Sequence, residues 1–146
     1  ICSDTVIGDG TSILHDCVIG HGCVIGDNCV IMDRKVPLYP NLIKLGNNVN
    51  LASDVTFVTH DITHRMLNNA QLDILEGKTL SEKLGCIEIG DNVFVGTGVK
   101  ILYNVKIGSN VIIGSGSIVT KDIPANVVAV GKPCRVMREI SEEEQK

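Results

Sequence analysis

Hydrophobic and polar positions alternate along this chain with a period of six residues. The first thirty residues divide into the hexads ICSDTV, IGDGTS, ILHDCV, IGHGCV and IGDNCV, and the pattern returns in LGNNVN, LASDVT, IGDNVF, VGTGVK, ILYNVK, IGSNVI and IGSGSI. The first position of a hexad is Ile, Leu or Val, the second is mostly Gly, and the fifth is small or branched. A repeat of this kind over half a chain indicates a solenoid.

Each hexad predicts one short strand and one corner. Positions one and five of a strand point to the same side, because side chains alternate with a period of two. Gly, Asp and Asn between them adopt turn conformations that other residues resist. Coils stacked about 4.8 Å apart then pair their backbones with the coils above and below and enclose an aliphatic interior. The expected fold class is therefore all-β, a parallel β-helix.

Two breaks interrupt the repeat, and a third segment follows it. Residues 32–44 contain two prolines and predict a surface loop. Residues 61–86 are too polar and irregular to form a coil, so they predict a protruding loop that walls a site. Residues 141–146 predict a short C-terminal helix that covers the end of the solenoid. Residues 1–140 are then a single β-helix domain.

Composition narrows the function classes. The net charge of −4 argues against a general nucleic-acid binder, and no run of about 18 apolar residues exists that could span a membrane. The segment 89–138 is nevertheless locally basic, which favours either an anionic ligand or a solvated basic face. The chain begins with Ile in the middle of a repeat, so we expect its natural start to lie upstream.

The cysteines fit the core of the solenoid. Cys17, Cys23 and Cys29 all occupy position five of a hexad, where a small apolar group points inward. Their spacing matches no zinc motif. Free thiols and the lack of a visible signal peptide lead us to expect a cytoplasmic protein.

A longer stretch near the C-terminus points to a particular class of protein. Residues 89–140, and GSGSIVTKDIPANVVAVGKPCRV within them, resemble the hexapeptide-repeat acyltransferases, and most closely the maltose/galactoside-type and related sugar O-acetyltransferases. The stretch VTFVTHDITHRML and the N-terminal hexads extend the resemblance over most of the chain. It implies a left-handed β-helix of triangular section with three hexads per coil, hence about five coils. The period alone leaves the hand open.

The resemblance implies an acetyl-CoA-dependent acetyltransferase that acts on a sugar hydroxyl within a ternary complex and requires no metal. His60 would be the general base, which suits an imidazole with an unperturbed pKa near 6.5. The backbone N–H of Thr97 would stabilise the oxyanion. Family members are typically homotrimers with sites between subunits, so we expect a homotrimer.

The resemblance also implies the remaining site residues. The pantetheine arm of CoA would lie near Gly96, Thr97 and Ser115, and neighbouring glycines would permit its close approach. The nucleotide end of CoA would contact Thr120, Lys121, Arg135 and Arg138. The positive charges of the lysine and the two arginines would pair with its phosphates. On the acceptor side we expect, more weakly, contributions from Asp61, His64 and Phe94.

Two residues depart from the family pattern. Phe94 stands where the family commonly has Trp, and Tyr103–Asn104 replaces a usual Pro–Gly corner. Asn tolerates the left-handed conformation, so the corner can still form.

Other functions remain open at the level of the sequence. The acceptor could be an amino sugar or another small amine. A γ-carbonic-anhydrase-like enzyme shares the solenoid and uses three histidines on zinc, and a non-catalytic scaffold would use none of these residues. In that last case His60 would be an exposed loop histidine.

Overall fold

The computed structural model describes residues 4–14, 19–32, 42–141 and 143. Its strands and helices follow in chain order. They are β1 (Val6–Ile7), β2 (Ser12–Ile13), β3 (Val24–Ile25), β4 (Val30–Ile31), β5 (Ile43–Leu45), β6 (Val49–Leu51), β7 (Thr56–Val58), β8 (His60–Asp61), α1 (Thr63–Ala70), a 3₁₀ turn (Asp73–Leu75), β9 (Lys83–Leu84), β10 (Ile87–Ile89), β11 (Val93–Val95), β12 (Lys100–Leu102), β13 (Lys106–Ile107), β14 (Val111–Ile113), β15 (Ile118–Val119), β16 (Val127–Gly131) and β17 (Cys134–Glu139).

The strands form three parallel sheets that are the three sides of a prism. Sheet A has the order β1-β3-β5-β10-β13, sheet B contains β2-β4-β6-β11-β14-β16, and sheet C contains β7-β12-β15. Successive strands of one sheet are 18 residues apart in regular coils, as in the pairs Val93↔Val111 and Lys100↔Ile118. The prediction of three hexads per coil and about five coils is therefore confirmed. The chain passes from sheet A to B to C, and we name the edges between them the A/B, B/C and C/A corners.

The interior is lined by the first and fifth positions of the hexads, as predicted. The largest side chains with almost no exposed surface come from these positions or their equivalents at the breaks, and include Ile31, Leu51, Ile101, Val93 and Val111. Cys23 and Cys29 are buried free thiols in this core, and Cys17 lies outside the described residues. The core is continuous and almost entirely aliphatic, and Phe57 is the one aromatic side chain buried in it among the described residues.

The A/B corner is stabilised by a ladder of asparagines. Asn48, Asn92, Asn110 and Asn126 all have left-handed backbone conformations, with φ between 54° and 63°. The Nδ2 of each donates to the Oδ1 of the next, at 3.0, 3.0 and 2.8 Å. Asn suits this position because its short polar side chain tolerates the left-handed region and bonds along the stack.

The first break is smaller than the sequence suggested. Residues 43 and 44 belong to β5, so the predicted loop 32–44 ends earlier than expected. Residues 33–41 lie outside the described part of the chain. The paired residues Val24 and Lys44 are 20 residues apart, which is only two more than in a regular coil. The break therefore lengthens one coil slightly.

The second break is a true insertion, and we call residues 60–84 the excursion. Lys44 pairs with Glu88, so 44 residues separate neighbouring strands of sheet A at this point. The excursion leaves and returns through the antiparallel pair β8–β9 and carries α1 and the 3₁₀ turn between them. The sequence predicted a loop here and missed α1, which is only eight residues long and buries none of its residues.

The C-terminal segment turns back on the last coil. The chain turns at Gly131–Pro133, and β17 then runs antiparallel to β16. The predicted helix 141–146 falls largely outside the described residues, since 142 and 144–146 are among those not described. No helix in the described ranges is long and apolar enough to cross a membrane.

Candidate functional site

His60 lies where the excursion leaves the C/A corner. It forms strand β8 with Asp61 and pairs with Leu84 of β9, and its side chain is half-buried. The N–H of Gly85 donates to the carbonyl of Thr59 at 3.0 Å and joins the two ends of the excursion. We call Thr59–Asp61 and Lys83–Gly85 together the root of the excursion. The imidazole is thus held on a two-stranded ribbon rather than on a free loop.

Asp61 organises the start of α1. Its Oδ1 accepts the N–H of Thr63 at 2.6 Å. Hydrogen bonds from Thr63 hold the pKa of the Asp61 carboxyl below its ordinary value, and the nearby Lys83 and His64 add to this effect. The carboxylate therefore stabilises the folded state above its ordinary pKa, and this contribution is lost as the pH falls through the lower, folded value. The acceptor-side role expected for Asp61 remains a prediction.

Two buried polar atoms near His60 have no partner. Among the described residues, Thr59 Oγ1 and His64 Nδ1 are the buried side-chain nitrogen or oxygen atoms without a hydrogen bond. Thr59 is fully buried and directly precedes His60, while His64 sits in the first turn of α1. Since nearly all buried polar groups are paired in folded proteins, such atoms mark this root as unusual. No pattern in the amino-acid sequence marks Thr59 as a site residue.

The B/C corner presents two exposed turns, one above the other. Thr97 and Ser115 are exposed, and each is followed by a glycine, Gly98 or Gly116, with φ of 72°. A Cβ on Gly98 would meet nothing within 4 Å, so the surface there is open. The turns are bonded to each other, because the N–H of Gly116 donates to the carbonyl of Thr97 at 2.8 Å.

The N–H groups of Thr97 and Ser115 at the B/C corner are unpaired, whereas the equivalent N–H groups at the A/B corner have acceptors. At the A/B corner the N–H of Asn47 donates to Asp91 Oδ1 at 2.8 Å, and that of Asp91 donates to Ser109 Oγ at 3.0 Å. Within the described part of the chain, the N–H groups of Thr97 and Ser115 have no such acceptor. The two turns lie in close contact, since a Cβ on Gly96 would stand 2.6 Å from the nitrogen of Ser115. Exposed, fixed N–H donors of this kind suit a ligand oxygen.

The expected CoA-binding residues fall into two groups. Arg135 pairs with Val130 at the B/C end of sheet B, close to Ser115, and Arg138 lies further along β17. Thr120 and Lys121 follow β15 at the opposite end of sheet C, on the same corner as His60. All four are exposed. The structure thus does not bring the predicted nucleotide-binding residues together within one chain.

Lys132 is a cation at the B/C corner that had no assigned role. Its Cε lies 4.0 Å from the place where a Cβ on Gly116 would stand. Neither Lys132 nor Arg135 pairs with a carboxylate of the described residues. In the sequence, Lys132 is one of several cations in the basic segment 89–138. Only the fold shows that its side chain lies over the B/C corner.

Phe94 lies on the outer surface of sheet B, between Asn50 and Ile112. Its side chain is 45% exposed. Only two residues separate it from Thr97, whereas His60 is on another corner. Its acceptor-side role remains a prediction, and within one chain it could serve only the B/C corner.

His60 and Thr97 are at opposite ends of one side of the prism. Gly98 bonds to the carbonyl of Ser53 at 3.0 Å, so Thr97 sits directly over the start of the stretch that leads through β7 to His60. At 3.2–3.4 Å per residue, this stretch separates the two corners by roughly 15–20 Å. A base and an oxyanion donor that act on one carbonyl group must both lie within about 3 Å of reacting atoms. One chain therefore does not assemble both groups.

The residues that the structure describes contain no cluster of three His, Cys, Asp or Glu side chains suited to hold a metal ion.

The sequence and fold match known proteins. The family model for the bacterial transferase hexapeptide (six repeats) matches residues 1–33 and 86–121. A solved galactoside acetyltransferase in complex with coenzyme A is 34% identical with a TM-score of 0.71, and the match covers 97% of this chain and 68% of that one. The chain belongs to the bacterial hexapeptide-repeat transferase family. The predicted left-handed β-helix is confirmed by this membership.

Two further members of the hexapeptide-repeat family show how much of a relative the chain represents. The galactoside O-acetyltransferase of Escherichia coli K12 is 44% identical over 105 residues, which are 70% of this chain but 47% of that protein. A maltose O-acetyltransferase structure from Clostridium difficile is 33% identical with a TM-score of 0.60, covering 95% of this chain and 60% of that one. The matched part of the chain thus spans less than half the length of that curated relative.

Proposed function

We propose that this protein is an acetyl-CoA-dependent acetyltransferase whose acceptor is a sugar hydroxyl. The observation that carries the proposal is the B/C corner, where the exposed Thr97 and Ser115 offer unpaired N–H donors beside open space. The 34% identical galactoside acetyltransferase was solved with coenzyme A, which supports the same ligand here. His60 supplies the base that such a reaction needs.

In the proposed reaction, His60 accepts the proton of the acceptor hydroxyl as its oxygen attacks the thioester carbon. The N–H of Thr97 donates to the oxyanion of the tetrahedral intermediate. The intermediate collapses with cleavage of the C–S bond, and His60 returns its proton to the leaving thiolate. The products are an acetyl ester and free CoA. No nucleophilic Cys or Ser is required, and transfer is direct.

The roughly 15–20 Å between His60 and Thr97 in one chain requires a second copy. We propose a homotrimer in which the C/A corner of one subunit faces the B/C corner of the next. Each site would then combine His60, Thr120 and Lys121 of one chain with Thr97 and Ser115 of another. Closed ring symmetry of this type repeats the same heterologous contact three times. This arrangement would bring the two groups of CoA-binding residues into one site.

The cations of both corners suit the phosphates of CoA. Lys121 would come from one subunit, and Lys132, Arg135 and Arg138 from the other. Lys132 is nearest to the turn at Ser115, so we assign it to the pyrophosphate that follows the pantetheine arm. Charge-assisted hydrogen bonds from such groups are about twice as strong as neutral ones.

Lys132→Met is expected to weaken CoA binding about tenfold, as befits one hydrogen bond to a charged group. Binding of pantetheine, which lacks the pyrophosphate, should not change. Isothermal titration calorimetry with both ligands measures the difference. Lys106→Met on sheet A, where Lys106 pairs with Glu88 at 3.6 Å, is the matched control and should leave both affinities unchanged. Equal losses for CoA and pantetheine would contradict the assignment.

The proposed activity itself is tested by release of free thiol from acetyl-CoA across a panel of acceptors. We expect turnover with sugars that carry free hydroxyls, and little with amino sugars, small amines or serine. Preferred turnover with an amine would replace the O-acetyltransferase by an N-acetyltransferase on the same site. An absence of thiol release with every acceptor, together with no binding of CoA, would contradict the proposal and favour a scaffold.

A further inference from the structure

Asn104 occupies the C/A corner, from which the excursion leaves. It has a left-handed backbone with φ of 60°. Its side chain lies directly against the Cα of Gly85, because a Cβ on Gly85 would collide with Asn104 Oδ1. Among the described residues its amide makes no hydrogen bond, unlike the asparagines of the A/B ladder. What Asn104 does at this corner is therefore steric: it covers Gly85.

Gly85 connects Asn104 to His60. The N–H of Gly85 donates to the carbonyl of Thr59 at 3.0 Å, and Thr59 directly precedes His60. Gly85 also follows β9, whose Leu84 pairs with His60. A shift of Gly85 would thus move both strands that carry the imidazole.

The helical part of the excursion packs loosely in the part of the protein that the structure describes. Neither α1 nor the 3₁₀ turn buries a residue. The excursion is also hydrogen-bonded to itself. The side chain of Asn68 exchanges two hydrogen bonds with the backbone of Leu80, at 2.9 and 2.8 Å. The root, where Asn104 packs, is therefore a point at which the orientation of the excursion can be controlled.

We propose that Asn104 is a positioning residue for His60, acting through Gly85 and Thr59. This inference rests on the proposed function, since it presumes that His60 is the base. Placement within a fraction of an ångström matters for such a group, because a displacement of about 1 Å can cost roughly a hundredfold in rate.

Asn104→Gly removes the side chain and keeps a residue that accepts the left-handed conformation. We expect kcat to fall about tenfold to a hundredfold, with the KM for acetyl-CoA unchanged. Amide hydrogen exchange at Thr59–Asp61 and Lys83–Gly85 should become faster. Asn104→Asp, which has the same shape and also tolerates this backbone, should restore both values.

Asn110→Gly is the matched control, because it removes a left-handed asparagine from the A/B corner. It should lower the melting temperature through loss of its ladder hydrogen bonds, and should leave kcat and exchange at the root unchanged. Normal kcat and normal exchange in Asn104→Gly would overturn the role of Asn104 alone. A wild-type protein that binds no CoA and releases no thiol would instead contradict the proposed function, and the exchange data would still show whether Asn104 fixes the root.

Discussion

His60→Ala should abolish acetyl transfer while leaving CoA binding intact. Loss of a general base typically costs about 10²–10⁴-fold in kcat. The imidazole sits on the β8–β9 ribbon and acts on the acceptor hydroxyl in the proposed reaction. Because it is assigned no contact with CoA, its removal should leave CoA binding unchanged. Thiol release at saturating acetyl-CoA, with CoA affinity measured by calorimetry, gives both quantities.

The control for this variant is His21→Ala. His21 is 70% exposed and contacts Asp4 at 2.7 Å, earlier along the solenoid. Its loss should not change turnover. If His60→Ala retained turnover at the level of His21→Ala, His60 would not be the base.

Thr97→Pro should lower kcat about 10²–10³-fold, the usual loss for one oxyanion donor. Proline has no N–H, and its fixed φ near −65° suits the residue before the left-handed Gly98 in a turn of this type. The substitution therefore deletes the donor and preserves the corner. A single-turnover assay separates the loss in chemistry from any loss in CoA binding.

Tyr103→Pro is the matched control for Thr97→Pro. Tyr103 precedes the left-handed Asn104 at the C/A corner, so the same chemical change is made in an equivalent turn. This variant should fold and keep most of its activity. A normal kcat in Thr97→Pro would exclude the Thr97 N–H as the oxyanion donor.

Mixing the two inactive proteins tests whether a site is shared. If His60 and Thr97 come from different subunits, refolded mixtures of His60→Ala and Thr97→Pro should regain activity in about a quarter of their sites, because random assembly places both intact residues together that often. Sites within single chains would stay inactive in any mixture. Recovery therefore reports the arrangement directly.

The repeat made most of the scaffold predictable. Inward positions such as Val93 and Ile101 follow from a period of six, because one aliphatic interior constrains every coil in the same way. The root of the excursion did not follow from the sequence, since Thr59 looks like any polar residue at the end of a strand. Thr59 matters because its carbonyl accepts the N–H of Gly85, which in turn packs against Asn104, and both residues are distant from Thr59 in the chain.

The candidate site was predictable only in part for a related reason. His60 and Thr97 could be proposed from the local stretches around them, but their separation depends on which corner each occupies. That in turn depends on counting coils through two irregular segments, and residues 32–44 looked like a larger insertion than they are. Lys132 was visible as one charge among several, and only the fold distinguishes it from Lys106 on another side of the prism.

The excursion enters and leaves the solenoid at adjacent points, with Thr59 bonded to Gly85. The coil resumes its register on the far side, where Ile87 pairs with Ile43 as if no residues had intervened. The length and side chains of such an insert can change without altering the stacking of the coils. In the proposed acetyltransferase, acceptor preference would then diverge by replacement of the excursion, while the donor side of the site stays the same.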